Sequence, residues 1–488
     1  MDKIVKKNDE IIVTIERLGD SGEGIAVYDG IVVFVPFAKI GDVVKVHIIN
    51  DKKSFLIAKI VEKISSGSDE VVPPCPYFYR CGGCDIQHLT QEEQLKFKKE
   101  MVKNALKKFG KIDTEVLDVV SSDKWFRYRN KFAFPVQEVN GQIKIGMFKK
   151  HSHEIIEISD CLLQSENTKE ILEMFKEYMV ENNISAYNEQ SKKGVVKHIV
   201  VREHGDEFIL TVVVTQERFN NFEPLIDKLK TRFKKFGIVK NVNKLNNNVI
   251  FGNVDISVFG LENLEYEDFG VKYEINNRSF LQVNDFVKNV IYKKIIETVE
   301  DNKTIIDAYS GAGLLSAILA KNAERVIGVE IEKEATKNAD NLKKKNDLYN
   351  LTNKNGDCAE IIPMLAKELN GEFTIVVDPP RKGLDDKVVQ SFLEARPKKI
   401  VYLSCNPATL ARDLEKLSQK YDIEFVQPFD MFPQTANVET LVSLKIKTQK
   451  PQTNKQKKDK KPQKLSKTSR YFDFYDDIKS SCHKIVDW

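Results

Sequence analysis

The sequence predicts an α/β protein whose C-terminal half folds as a Rossmann-like, doubly wound sheet. Strand-like apolar runs alternate with helix-like segments from about residue 272 onward, and the strand predicted at 304–308 leads directly into a glycine loop. Residues 11–63 instead alternate short Val/Ile-rich runs with Gly/Asp turns, which is typical of a small OB-like β-barrel. Mixed strand-like and helix-like runs lie between these two regions. We therefore expect three folded parts.

The composition is that of a soluble, globular chain of about three domains. Its 488 residues are 41% hydrophobic and 30% charged, and no stretch is long and apolar enough to cross a membrane. The N-terminus lacks the apolar core of a signal peptide, so we expect a cytoplasmic protein with no membrane partner. The net charge of +4 depends on residues 446–464, which hold eight lysines and one aspartate. An affinity for RNA must therefore come from local patches.

The predicted barrel occupies residues 1–64. The linker SSGSDEVVPP, residues 65–74, ends it. Barrels of this size bind nucleic acid through aromatic and lysine side chains on one face, although a small barrel without that role has the same pattern. This one resembles the TRAM module of RNA-modifying enzymes.

Three closely spaced cysteines follow the linker. Cys75, Cys81 and Cys84 have the spacing C-x5-C-x2-C around two glycines. Because a reducing cytoplasm disfavours structural disulfides, we expect these thiolates to bind a metal or cluster. Cys161 is the expected fourth ligand, since the remaining cysteines lie in other contexts. Zinc and an iron–sulfur cluster both accept four thiolates, and spacing alone does not separate them.

The middle part, residues 65–271, contains a predicted amphipathic helix at 90–110. Thr90 and Glu93 form a capping box at its start, and a glycine ends it. We expect its lysines to form a solvated face. Further on, WFRYRNK at 125–131 is interpreted as an extended strand whose basic residues project from one face, toward RNA phosphates or simply toward solvent.

The C-terminal part carries the pattern of a nucleotide-type cofactor site. Gly311 and Gly313 allow the backbone to approach a ligand closely, although the third glycine of the nicotinamide fingerprint is missing. Glu330 ends the next strand, where an acidic side chain accepts hydrogen bonds from ribose hydroxyls. Asp357 follows the third strand and is expected near an adenine. Asp378 is fixed at a rigid turn by two prolines.

The run KKIVYLSCNPATLARDL brings Cys405 to the end of a predicted strand. Pro407 disfavours helical angles for the residue before it, so the chain turns there and the next helix is expected to begin near Thr409. A thiol at such a turn can face the crevice outside the carboxyl ends of the strands. It is interpreted either as a nucleophile or as a small buried hydrophobe.

Four motifs, in this order along the chain, resemble those of the RNA uracil-5-methyltransferase family. They are CPYFYRCGGCDIQH, DPPRKGL, LSCNPATLARDL and NVETLVSL, and the likeness covers nearly the whole chain up to about residue 446. The resemblance implies methylation of carbon 5 of a uridine by S-adenosylmethionine, through a covalent adduct between Cys405 and the uracil. It also implies that Glu439 is the base that removes the carbon 5 proton.

The resemblance further implies the binding residues. A [4Fe-4S] cluster is expected on the four cysteines, and the 90–110 helix is expected to dock on the catalytic domain, residues 272–447. Gln282 and Tyr309 join the expected cofactor contacts, which are then Gln282, Tyr309, Gly311, Glu330, Asp357 and Asp378.

The substrate and the chain end complete these expectations. We expect 23S ribosomal RNA as substrate, because relatives that act on transfer RNA often lack the barrel and the cysteines. The alternatives are the T-loop of transfer RNA and a non-catalytic iron–sulfur RNA-binding protein, although pure binding needs neither Cys405 nor Glu439. Residues 448–488 are lysine-rich without apolar periodicity and are expected to form a disordered basic tail. No obligate protein partner is evident.

Overall fold

A computed structural model describes residues 5–52, 54–68, 71–150, 152–299, 303–370 and 372–448. The predicted basic tail lies outside these residues except for Thr448. In the part of the chain so described, no helix has both the length and the apolar character needed to cross a membrane.

The N-terminal part is an all-strand unit that encloses its own apolar core. Its strands pair in the order β1-β5-β6-β4-β3-β2 within the described residues. Along β5, Val44, Val46 and Ile48 are fully buried while the residues between them are not, which is the alternation from which the barrel was predicted. The strands are β1 (Glu10–Thr14), β2 (Arg17–Leu18), β3 (Gly24–Tyr28), β4 (Ile31–Val35), β5 (Val43–Lys52) and β6 (Phe55–Ser65).

Helix α1 (Gln91–Phe109) links the N-terminal part to the C-terminal part. The capping box of Thr90 and Glu93 is present and Gly110 ends the helix. Val102 and Leu106 are buried in the same hydrophobic core as the C-terminal sheet. Lys98 is also fully buried, so the expectation that all the lysines of this helix face solvent is wrong for this residue.

The middle sheet has the strand order β13-β12-β11-β10-β7-β8-β9. Its two helices, α2 and α3, cover one face with a shared apolar core. The elements are β7 (Lys131–Val139), β8 (Gln142–Phe148), β9 (Ile155–Glu157), α2 (Asn167–Glu181), β10 (Val196–His204), β11 (Glu207–Val214), α3 (Glu223–Lys230), β12 (Phe236–Val242) and β13 (Val254–Gly260).

The C-terminal part confirms the predicted doubly wound sheet. A hairpin and a helix precede it: β14 (Leu264–Asp268), β15 (Val271–Ile275) and α4 (Asp285–Val299). Strands and helices then alternate as β16 (Thr304–Ala308), α5 (Leu314–Ala320), β17 (Arg325–Glu330), α6 (Lys333–Lys345), β18 (Leu351–Asn355), α7 (Cys358–Leu369), β19 (Thr374–Val377), α8 (Asp386–Ala395), β20 (Lys399–Ser404), α9 (Pro407–Leu417), β21 (Tyr421–Phe429) and β22 (Glu439–Ile446).

The order of this C-terminal sheet fixes where a ligand can bind. The strands run β18-β17-β16-β19-β20-β22-β21, and β16 to β20 are mutually parallel. The chain reverses direction across the sheet between β16 and β19, which opens a crevice at their carboxyl ends. Strand β22 is antiparallel to both of its neighbours.

Helix α9 begins earlier than the sequence predicted. It starts at Pro407 rather than near Thr409, because proline is favoured at the first helical position, where no amide donor is needed. The side-chain oxygen of Asn406 caps it by accepting the Ala408 amide at 3.0 Å. The turn that carries Cys405 is therefore short and fixed on both sides.

Candidate active site

The sheet register brings Cys405 and Glu439 together. Ser404, the last residue of β20, is paired with Thr440 on β22. Cys405, which follows β20, therefore lies beside Glu439, the first residue of β22. Cys405 is half-buried and Glu439 is 3% exposed. The two candidate catalytic side chains therefore meet at the carboxyl end of the sheet.

The surroundings of these two side chains disfavour ionisation of both. Burial raises the pKa of the Cys405 thiol to about 12, and the carboxylates of Glu439 and Asp378 add to the rise. Burial likewise raises the pKa of Glu439 well above its usual value, with a further contribution from Asp378. The thiol is therefore protonated at neutral pH until something at the site favours the thiolate.

Arg381 was not assigned a role from the sequence, although it belongs to the DPPRKGL motif. Its positive charge lowers the pKa of both Cys405 and Glu439, opposing the effect of burial. Arg381 is the cation that acts on both groups. The sequence held one indication of a role for Arg381, because it follows Asp378 and two prolines on a rigid turn. That Arg381 lies near Cys405 depends on the pairing of β19 with β20, which the sequence does not show.

Asp378 lies close to a second buried carboxylate. Burial and the charge of Asp307 raise the pKa of Asp378 to about 7. Asp307, on β16, has its pKa raised to about 7 by burial, while a hydrogen bond from Ser316 opposes the rise. The crevice between β16 and β19 is therefore lined by carboxyl groups that titrate near neutrality.

The glycine loop after β16 is organised by Glu330. The carboxylate of Glu330 accepts the Gly311 amide at 2.9 Å and the Glu332 amide at 2.8 Å. Tyr309 and Gly311 both have positive φ, 62° and 54°, and a Cβ added at Gly311 would have no neighbour within 4 Å. The loop is thus open on that side, and its backbone can approach a ligand.

Of the remaining predicted cofactor residues, Asp357 lies beside this loop, whereas no contact in the described residues links Gln282 to it. Asp357 is exposed at the start of α7, where its Oδ1 caps the helix by accepting the Ala359 amide at 2.8 Å. The charge of Asp357 acts on Tyr309, so the two are neighbours. Gln282 lies between β15 and α4, and its carbonyl accepts from Asn130 at 3.0 Å. Within the described residues, Gln282 makes no hydrogen bond to the other five.

The four predicted metal-binding cysteines lie near one another. The pKa of Cys81 is raised in part by Cys161 and Cys75, and that of Cys84 in part by Cys161 and Cys81, so the four sulfurs are neighbours. Burial raises the pKa of each thiol. Two N–H groups point at sulfur: Gly83 N at 3.4 Å from Cys81 Sγ and Gln87 Nε2 at 3.2 Å from Cys84 Sγ.

These thiols do not form a site for a single metal ion. Across the ranges described above, no three His, Cys, Asp or Glu side chains are grouped so that they could hold one. The predicted metal site on Cys75, Cys81, Cys84 and Cys161 is therefore unsupported. This applies most directly to zinc, which would bind as a single ion. The cysteines of the described residues are also free of disulfides.

The predicted basic strand WFRYRNK is wrong. Residues 125–130 are irregular, and Arg127 has a positive φ of 56°. Both Arg127 terminal nitrogens contact the Asp160 carboxylate, at 2.8 and 2.6 Å, and one also reaches the Cys161 carbonyl at 3.1 Å. Because its guanidinium is already occupied by this loop, Arg127 holds the Cys161 loop rather than facing an RNA phosphate.

Comparison with known proteins identifies the chain. Residues 90–447 match the model of the family described as tRNA (Uracil-5-)-methyltransferase, and residues 5–61 match the TRAM domain. A Clostridium acetobutylicum protein described as an uncharacterized RNA methyltransferase is 38% identical over 456 residues, which is 91% of this chain and 99% of that protein. A similarly described Halalkalibacterium halodurans protein is 36% identical over 91% of this chain and 98% of its own length.

A solved structure agrees with these relatives. The Pyrococcus abyssi tRNA (uracil-54, C5)-methyltransferase in complex with S-adenosyl-L-homocysteine has a TM-score of 0.73 and 28% identity. The match covers 89% of this chain and 99% of the archaeal one. This chain therefore belongs to the tRNA (uracil-5-)-methyltransferase family, carries an N-terminal TRAM domain, and is an RNA uracil-5-methyltransferase.

Proposed function

We propose that the protein methylates carbon 5 of a uridine in a structured RNA, with Cys405 as nucleophile and Glu439 as base. The observation that carries this proposal is the adjacency of Cys405, at the carboxyl end of β20, and Glu439, at the start of β22. Carbon 5 of uracil is a poor nucleophile. A thiolate that adds to carbon 6 turns the ring into an enolate, which makes carbon 5 reactive.

Cys405 must lose its proton before it can attack. Its pKa of about 12 in the free protein keeps almost all of the thiol protonated at neutral pH. The charge of Arg381 favours the thiolate, whereas the neighbouring carboxyl groups disfavour it when they are ionised. The raised pKa of Asp378 makes a protonated carboxyl available near neutral pH, which limits the repulsion that the thiolate meets. The Cys405 proton passes to solvent, and Glu439 has to be ionised in the adduct, because only a carboxylate can accept the carbon 5 proton.

Glu439 then acts on the adduct. After methylation, carbon 5 still carries its proton, and removal of that proton expels Cys405 and restores the uracil ring. A carboxyl group whose pKa is raised by burial is a stronger base than an ordinary glutamate and suits this step. The same group is placed beside the thiol that must leave.

S-adenosylmethionine would supply the methyl group as an electrophile. The residues that would hold it are Tyr309, Gly311, Glu330 and Asp378 around the crevice, with Asp357 beside Tyr309. Gln282 is included on the strength of the family resemblance alone. Their chemistry fits this cofactor, because Glu330 offers a carboxylate at the end of β17 and the open glycine loop lets a ligand approach the backbone.

A [4Fe-4S] cluster on Cys75, Cys81, Cys84 and Cys161 is part of the proposal. In such a cluster each thiolate binds a different iron, so the sulfurs lie further apart than the ligands of a single ion. The N–H groups directed at Cys81 and Cys84 suit thiolates, as does the charge of Arg129 beside Cys161. We propose a structural role for the cluster, in which it orders the middle part.

Two RNAs are candidate substrates, 23S ribosomal RNA and the T-loop of transfer RNA. The sequence favoured ribosomal RNA on the ground that enzymes acting on transfer RNA often lack the barrel and the cysteines. The Pyrococcus abyssi transfer RNA enzyme matches 89% of this chain, so the match extends well beyond the catalytic part. This weakens the argument that the N-terminal and middle parts point to ribosomal RNA. The TRAM domain and the middle sheet are proposed to contact either RNA.

The RNA target is tested by mapping 5-methyluridine in ribosomal and transfer RNA from a strain that lacks the protein. Loss of a modified uridine in 23S ribosomal RNA, with the T-loop unchanged, identifies the first candidate. Loss at the T-loop identifies the second. The wild-type gene should restore the modification and the Cys405→Ala gene should not, whereas unchanged 5-methyluridine in both RNAs contradicts the proposed activity.

The two catalytic residues should fail at different steps. Cys405→Ala should form no RNA adduct and transfer no methyl group, because nothing else activates carbon 5. Glu439→Gln should still attack and methylate but eliminate about 10²–10⁴-fold more slowly, so methylated RNA attached to the protein accumulates as a slow band on a denaturing gel. Cys358→Ala, which removes a buried thiol at the start of α7, is the comparison variant and should still form and release the RNA adduct at saturating S-adenosylmethionine. Substantial turnover by Cys405→Ala rules out this nucleophile.

The ionisation of Cys405 should depend on Arg381. In the free protein, alkylation of Cys405 by iodoacetamide, followed by peptide mass spectrometry, should keep rising with pH beyond about 8.5, where an ordinary thiol levels off. Arg381→Gln removes the charge that lowers the Cys405 pKa, so the pKa rises and alkylation at any one pH slows. Lys382→Gln, which changes the neighbouring exposed lysine, should leave the rate unchanged. A plateau near pH 8.5 would contradict the proposed environment.

The cluster should give the protein a colour. Anaerobically purified protein should show broad visible absorbance and contain iron and acid-labile sulfide, and Cys81→Ser should lose all three. Cys358→Ser should keep them, because that thiol lies at the start of α7 in the C-terminal part. A colourless wild-type protein that contains one zinc ion would show the cluster assignment to be wrong.

A further inference from the structure

The carboxyl group of Glu439 is not fixed by hydrogen bonds of its own. It is 3% exposed, yet within the described residues no hydrogen bond holds its carboxyl group. Its position is therefore set by the backbone at the start of β22, where Glu439 pairs with Phe429 on β21. The nine residues between these partners, 430–438, are called the base loop below.

The base loop contains a residue in an unfavourable conformation. Gln434 has a φ of 71°, in the left-handed region that residues other than glycine rarely occupy. Such a residue persists only where its surroundings hold it. The hydrogen bonds within the loop centre on Thr435, whose amide donates to the Phe432 carbonyl at 3.2 Å and whose hydroxyl accepts the Asn437 amide at 3.3 Å. Within the described residues, Gln434 takes part in none of these internal bonds. Contacts from elsewhere in the chain must therefore hold Gln434.

The first of these contacts comes from helix α1. Gln94, which is 2% exposed, makes two hydrogen bonds to Gln434. Its Nε2 donates to the Gln434 side-chain oxygen at 3.0 Å, and its Oε1 accepts the Gln434 amide at 3.1 Å. This reciprocal pair constrains both the backbone and the side chain of the strained residue.

The second contact comes from the segment of the clustered cysteines. The amide of Asp85, the residue after Cys84, donates to the Gln434 carbonyl at 3.0 Å, and the Ile86 amide does so at 3.2 Å. The carboxylate of Asp85 accepts the Ala436 amide at 3.2 Å. Ala436 also packs against the apolar cluster that Ile86 forms with its neighbours.

The third contact is a buried ion pair. Lys98 on α1 and Asp430 in the base loop are both fully buried and joined through the lysine Nζ. The same Nζ donates to the Phe432 carbonyl at 2.9 Å. Two buried charges keep this geometry because each loses its compensation if the other moves away. The near end of the base loop is thereby tied to α1.

We propose that Asp85, Gln94 and Lys98 are positioning residues for Glu439, acting through the base loop. This inference rests on the proposed role of Glu439 as the base. Cys405 follows β20 and is held by that strand and by the cap of α9, so it does not depend on these contacts. The cysteine segment and helix α1 therefore control proton removal from the methylated adduct and leave thiol attack and methyl transfer unaffected.

The test compares methyl transfer and elimination in Gln94→Leu. This variant removes both hydrogen bonds to Gln434 and puts an apolar side chain of similar size in the place of glutamine. Single-turnover methyl transfer should stay within about twofold of wild type. Elimination should slow at least about tenfold, so the methylated adduct accumulates on a denaturing gel. Lys99→Met is the matched control on the same helix, since Lys99 pairs with Asp118 at 2.7 Å and does not touch the base loop; it should eliminate normally. Elimination at the wild-type rate in Gln94→Leu, or an equal loss in both steps, overturns the inference.

A second pair of variants tests the inference independently, in case Gln94→Leu does not fold. Asp85→Ala removes the acceptor for the Ala436 amide and should accumulate adduct, whereas Asp85→Asn retains an acceptor oxygen and should eliminate at nearly the wild-type rate. Equal elimination rates in these two variants count against the inference. They would show that the hydrogen bond to the Ala436 amide, which asparagine can keep and alanine cannot, does not affect elimination.

Glu439→Gln, measured in parallel, separates this inference from the proposed function. If Glu439→Gln accumulates adduct and neither Gln94→Leu nor Asp85→Ala does, only the positioning role is wrong. If Glu439→Gln itself accumulates none, the base assignment fails and the inference falls with it. The double variant Gln94→Leu/Glu439→Gln should eliminate no more slowly than Glu439→Gln alone, because both changes act through one group. A further slowing in the double variant contradicts the inference.

Discussion

The antiparallel insertion of β22 between β20 and β21 is the constraint on which the active site depends. Pairing of Ser404 with Thr440 brings a thiol at the end of one strand beside a carboxyl at the start of another. Because side chains alternate along a strand, a slip of one residue would turn Glu439 to the other face of the sheet. The buried side chains of β22, six of its eight residues, hold the register that prevents such a slip.

The same arrangement makes the site electrostatically unfavourable. Glu439, Asp378 and Asp307 all have pKa values raised by burial. A carboxyl whose pKa is higher in the folded than in the unfolded protein binds more protons when folded, so its contribution to stability falls as pH rises above the unfolded value. Active sites commonly accept such a loss, because a neutral or strongly basic carboxyl is what the chemistry requires. Arg381 offsets only part of the effect.

Helix α1 of the middle part and the C-terminal part are joined by interior contacts. Val102 and Leu106 of α1 belong to the core of the C-terminal sheet, and Lys98 and Asp430 form an ion pair that is fully buried on both sides. Removing one member of such a pair typically costs about 3–5 kcal/mol, because the other charge is left without compensation. The segment that carries the clustered cysteines is thus part of the framework of the active site, although its thiols are distant in sequence from Cys405.

Local patterns in the sequence determined the elements. The apolar run before Cys405, the glycine loop after β16, the capping box of α1 and the alternation in the barrel each depend on neighbours within a few residues, and the structure has these features. Tertiary structure alone decided which side chains meet. Lys98 looked like one more solvated lysine because its partner lies 332 residues away. Arg127 looked like part of a basic strand because the Asp160 that occupies its guanidinium belongs to another loop. Arg381 acts on Cys405 only because β19 and β20 are neighbours in the sheet. Such pairings depend on strand order and register, which a one-dimensional pattern does not contain.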